Sequence, residues 1–128
     1  MLPLRTCFRL LASTAFLILN GCGGVNNNCV SIGMAVTPGS ATADHAAAAP
    51  RNGQTFEALS MTMGHGCEGT SALVPSNWTT SDDSVQLSAS PSGQVTAICT
   101  AAVPGPITIS ATSNDSRKLS SQATLVCN

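Results

Sequence analysis

"SVQLSASPSGQVTAICTA", Ser84 to Ala101, consists of two alternating runs around a proline–glycine break. Val85 and Leu87 share one side of the first run, and Val95, Ala97 and Cys99 share one side of the second. A period of two marks a half-buried strand, and "SPSG" between the runs is a turn. The same pattern extends outward. "CVSIGMAVTP" (Cys29 to Pro38) sets Val30, Ile32, Met34 and Val36 on one face, which predicts a strand ended by proline. "TFEALSMTM" (Thr55 to Met63) is the second strand and leads into the turn-like "GHGCEG". Trp78 sits in a short strand before a polar turn at Asp82 and Asp83. "ITISATS" (Ile107 to Ser113) points Ile107, Ile109 and Ala111 inward, "NDSRKLS" makes the last hairpin loop, and "QATLVCN" closes the chain. "GSATADHAAAAPRNGQ" (Gly39 to Gln54) reads as a small, polar connection in which Ala46 to Ala49 make at most one helical turn. Seven short strands with turns between them predict an all-β, antiparallel sandwich over residues 29–128.

The 28 residues in front have a different composition. "MLPLRTCFR" carries Arg5 and Arg9, and "LLASTAFLIL" (Leu10 to Leu19) is a run of ten apolar or small residues, so residues 1–21 have the parts of an export signal. At about 1.5 Å per residue the run reaches roughly half a bilayer core, too short for a stable transmembrane helix. "LNGC" (Leu19 to Cys22) resembles the bacterial lipobox, with an aliphatic residue three before the cysteine and a small one just before it. Asn20 departs from the usual choice at its position. The resemblance implies that Cys22 receives a diacylglycerol and, after cleavage, an acylated amino terminus. Several acyl chains anchor far more firmly than one. The alternative is an ordinary secretory signal cut near Gly21. "GGVNNN" (Gly23 to Asn28) follows as a flexible tether, so residues 22–28 reach at most roughly 25 Å. From Cys22 onward Arg51, Arg117 and Lys118 face six acidic residues, a net charge near −3. That balance argues against nucleic acid as a partner.

With Cys7 in the leader and Cys22 at the anchor, Cys29, Cys67, Cys99 and Cys127 remain. Four cysteines in a small exported domain read as two disulfides, with three pairings open. A four-thiolate metal site is disfavoured, because there is no C-x-x-C pair and the spacings are 38, 32 and 28.

"AVTPGSATA", "NGQTFEA", "WTTSDDSVQLSA", "SGQVTAICTA", "GPITISATS" and "SQATLVC" occur in the order seen in bacterial Ig-like domains of the group 2 type, which the chain resembles over about residues 29 to 127. The connection after the first strand is longer here, and the four cysteines are additions to the common pattern. The resemblance implies an Ig-like sandwich of the kind used as surface, adhesion or structural modules. Lettering the strands A to G from Val30 puts Cys29 and Cys67 at the tethered end and Cys99 and Cys127 at the other. The expected bridges are therefore Cys29–Cys67 and Cys99–Cys127.

No catalytic constellation stands out. His65, beside Cys67 and Glu68, invites a nucleophile or metal reading, but that needs a free thiolate and an orienting third group. Flanking glycines make a turn the simpler account. His45 has no partner nearby in sequence. Asp82 and Asp83 lack the spaced acidic loop of a calcium site. "NWT" (Asn77 to Thr79) matches a glycosylation sequon, and Trp78 reads as a core residue rather than a sugar-stacking platform. The expectation is a non-enzymatic lipoprotein of the cell envelope without cofactor or metal, held to the membrane through Cys22. Because Gly23 replaces the acidic residue that retains some lipoproteins in an inner membrane, the outer membrane is preferred. Its partner would be an envelope protein or glycan. The alternative is a carbohydrate- or peptide-binding module that uses the loops at the free end.

Overall fold

The computed structural model describes residues 29–64, 66–67 and 71–128. The leader, the Cys22 anchor, the tether, His65 and Glu68 lie outside the described residues. Among those described there is no helix. Eight strands run in the order β1 (Val30–Thr37), β2 (Ser40–Ala43), β3 (Gly53–Met63), β4 (Ser76–Thr80), β5 (Val85–Ala89), β6 (Gln94–Cys99), β7 (Ile107–Ser113) and β8 (Ser120–Cys127). They form two four-stranded sheets, β1-β3-β6-β5 (sheet A) and β2-β8-β7-β4 (sheet B). With β1 and β2 as the two halves of one opening strand, these are the orders A-B-E-D and A′-G-F-C of an immunoglobulin-type sandwich.

The opening strand is where the fold departs from expectation. Pro38, which lacks an N–H, ends the β1–β3 ladder at Thr37↔Glu57, and the chain crosses to the other sheet. There Ser40–Ala43 pairs parallel with Thr124–Cys127, so the sandwich has eight strands and is not wholly antiparallel. The segment read as a loop thus contains β2. The four alanines form no helical turn. Asp44 Oδ1 accepts from the Ala46 N–H at 2.9 Å, and Asp44 N–H bonds Arg51 O at 3.1 Å, closing a compact turn instead.

A second departure lies within β1. The register runs from Ser31↔Thr62 to Gly33↔Met61, leaving Ile32 as the extra residue of a bulge. Met34 and Val36 point into the core as expected, whereas Val30 (59% exposed) and Ile32 (54%) face outward.

The core is narrow. Phe56, Ile107, Ile109, Leu125 and Val95 supply its bulk, and Ala58, Ala97, Ala111 and Ala123 let the sheets approach closely. Phe56 is the only fully buried aromatic residue among the described residues, while Trp78 packs against the cluster half-buried. Each end of the sandwich has its own fastening. Cys99 ends β6 and Cys127 ends β8, so their bridge (Cα–Cα 5.7 Å) joins the two sheets. At the Cys29 end, Cys29 and Cys67 are bridged with Cα atoms 5.8 Å apart, tying the start of β1 to the turn after β3. These separations are ordinary for disulfides.

Candidate functional site

Among the described residues, those of the kind that carry chemistry are dispersed, and most have structural partners. His45 follows β2 at the Cys99–Cys127 end. Its backbone N–H bonds the Asn128 carbonyl at 3.0 Å, and its Nδ1 meets the same oxygen. A carbonyl can only accept, so Nδ1 carries the proton. This histidine therefore holds the last residue against the end of β2. Asp82 makes the β4–β5 turn: its Oδ1 accepts from Ser84 N–H at 2.7 Å and its carbonyl from Val85 N–H at 3.2 Å. Asp83 beside it is exposed. No group of three or more His, Cys, Asp or Glu side chains suited to a metal occurs among the described residues. Asn77 is exposed on β4, paired with Thr112. Trp78, next to it, turns its ring onto the core, and its Nε1 is buried without a hydrogen-bond partner.

Sequence reasoning did not identify the outer face of sheet A, which has two unlike halves. Toward the Cys99 end it is polar. Thr55 and Thr96 hydroxyls lie 3.2 Å apart, and Gln94 Nε2 donates to Glu57 Oε1 at 2.6 Å. A shallow depression of about 380 Å³ opens there between Ala49–Pro50 and the strand residues Gln54, Thr55, Thr96 and Ile98. Toward the Cys29 end the face is apolar. Val30, Ile32, Met61 and Met63 come from the paired ends of β1 and β3, and Leu73 joins them through an isolated bridge to Leu59. Gly33 lies beside Met61, whose Sδ is 3.8 Å from where a Cβ on Gly33 would sit. All five side chains are between 39% and 63% exposed. The apolar residues were visible in the sequence, but without the bulge Val30 and Ile32 fall on the same face as Met34 and Val36 and read as core.

Asp44, Asp82 and Asp83 lie at the Cys99–Cys127 end, by the close of β2 and the β4–β5 turn, and Arg51 lies there too, its carbonyl accepting from Asp44 N–H. Arg117 and Lys118 lie in the β7–β8 loop at the Cys29 end. Arg117 Nε and Nη2 bond Asp115 Oδ2 at 3.0 and 2.6 Å, and Nη1 reaches Ser31 O at 3.2 Å. This loop on sheet B is thereby fastened to β1 of sheet A. Guanidinium hydrogen bonds, joined by one from Ser113 Oγ at 2.8 Å, hold the Asp115 carboxyl below its usual value of 3.8. The comparison with known proteins gives no family: neither a protein-family model nor a curated protein matches the chain.

Proposed function

We propose that the chain is a non-enzymatic lipoprotein of the bacterial cell envelope: a bacterial Ig-like body held to the membrane through lipid on Cys22, serving as a structural or adhesive module. One observation carries the reading. An immunoglobulin-type sandwich with a disulfide at each end stands directly behind "LNGC" and a six-residue tether. Two bridges suit an oxidising compartment, and the leader supplies the route to it. That His45 and Asp82 make backbone contacts supports a reading in which the surface is the working part. The outer membrane is the preferred location.

The test has two arms. In expressing cells, labelled palmitate enters the wild-type chain and is absent from Cys22→Ser; equal labelling of both, or of neither, rejects the anchor. Envelope extracts passed over the immobilised chain then retain a protein or glycan if the module is adhesive. A second reading, a carbohydrate- or peptide-binding module, draws on the depression at the free end between Pro50 and Thr96. It predicts that Thr96→Arg abolishes retention of that ligand while the fold persists.

A further inference from the structure

We propose that the apolar half of sheet A's outer face rests on the membrane surface, so that the body lies down on the bilayer instead of standing on its tether. The inference builds on the lipid-anchor reading above and adds an orientation to it. Val30, Ile32, Met61, Met63 and Leu73 are the exposed large apolar side chains among the described residues, and all five lie on or beside the paired ends of β1 and β3. The occupant follows from where the unassigned chain ends. Residues 23–28 separate Cys22 from Cys29, and Val30 of the patch is the next residue. A tether reaching at most roughly 25 Å holds the patch within contact range of the bilayer. So short a link makes docking an intramolecular event, for which weak surface affinity suffices.

The chemistry of the patch suits an interface. The flexible thioethers of Met61 and Met63 adapt to an irregular surface, and branched Val30 and Ile32 pack beside them. Charge is compatible with this. Lys118 and Arg117 lie at this end, where anionic headgroups attract them, while Asp44, Asp82 and Asp83 outnumber the one cation, Arg51, at the opposite end among the described residues. Asp115 offsets one cation by pairing with Arg117. The polar half of the same face, with Glu57 bonded to Gln94, would remain in water.

The test uses the full chain purified from cell envelopes, with its acyl chains verified by intact mass and a protease site inserted between Gly24 and Val25. It is reconstituted into vesicles of phosphatidylethanolamine with phosphatidylglycerol as the minor component. Oxidation of methionines by water-soluble chloramine-T is followed by mass spectrometry, attached and after protease release. Met61 and Met63 should oxidise about fivefold more slowly while attached. Buried Met34, 8% exposed, should react slowly in both states and so reports an intact fold. Val30→Asp/Ile32→Asp, which alters exposed positions and leaves both thioethers in place, should abolish the protection.

Equal rates before and after release, on protein that carries acyl chains, overturn the docking and leave the anchor standing. Missing acyl chains overturn the anchor and the docking together. Protection that persists after release and rises with protein concentration assigns the patch to a second copy of the chain and also overturns the proposal.

Discussion

Gly93 has a φ of 99° in the turn between β5 and β6, a conformation that side chains other than glycine's rarely adopt. Its carbonyl accepts from Ala58 N–H at 2.9 Å, while Ala58 O accepts from Val74 N–H at 2.8 Å. Three segments therefore meet at this one residue. A Cβ there would run into Val74, reaching its carbonyl carbon at 2.7 Å. Gly93→Ala combines a backbone penalty with a clash against main chain, and it should lower unfolding stability by about 1–3 kcal/mol. Urea denaturation at constant m-value measures this, and a loss under about 0.5 kcal/mol would show that the segment around Val74 yields easily. The "SPSG" turn was evident from its residue types. That its glycine carries a third segment on its back was not, because Val74 lies nineteen positions earlier in the chain.

Among the elements, the β7–β8 loop acts as a clasp between the sheets. Asp115 is held by Arg117, and Arg117 holds Ser31 of β1. The folded carboxyl titrates below the unfolded one, so the unfolded state binds more protons as the solution is acidified. The contribution of this clasp is thus present above the unfolded value near 3.8 and lost as the pH falls through the lower folded value. Asp115→Asn should be less stable than wild type at neutral pH, and the two stability curves should converge in acid, once the pH has fallen through the lowered value of the folded carboxyl. The gap will be small and will shrink with salt, because both side chains are largely exposed. Thermal melts across the pH range test it; a gap that stays constant with pH assigns the effect to lost packing. The opening strand carries the other lesson at this scale. One bulged residue, Ile32, reverses which side chains face outward for the stretch before Met34, and so creates the surface patch.

For the whole molecule, a core with a single buried phenylalanine and many alanines leaves little reserve. The bridges close loops spanning 38 and 28 residues, which in the chain-entropy account stabilises the fold by about 3–4 kcal/mol each. Against a typical total of roughly 5–15 kcal/mol, a body lacking one bridge should remain folded with a lowered melting temperature, and a body lacking both should be largely unfolded at 37 °C. Circular dichroism of Cys29→Ala/Cys67→Ala, of Cys99→Ala/Cys127→Ala and of the fourfold variant decides this. Full retention of structure in the fourfold variant would show that the alanine-lined core suffices alone. Of the two, the Cys99–Cys127 loss should cost more than loop entropy predicts, since both its cysteines are buried between the sheets and alanine leaves a void there.

The sequence by itself determined the all-β character, the positions of most strands and turns, and the number of cysteines left for bridges. Those properties are written locally, in a period of two, in proline and glycine, and in counts. Tertiary structure decided the rest. "SATA" is too short and too small to declare itself a strand; it becomes β2 because β8 offers it an unpaired edge. Val30 and Ile32 satisfy the same alternation as Met34 and Val36, and only the register against β3 sends them outward. His45 likewise acquired its role from a partner far along the chain, Asn128, whereas Asp82 and Asp115 bond residues two or three positions away. Which face an alternating strand presents, and which edge it finds, depend on pairing between distant segments, and no local pattern records that.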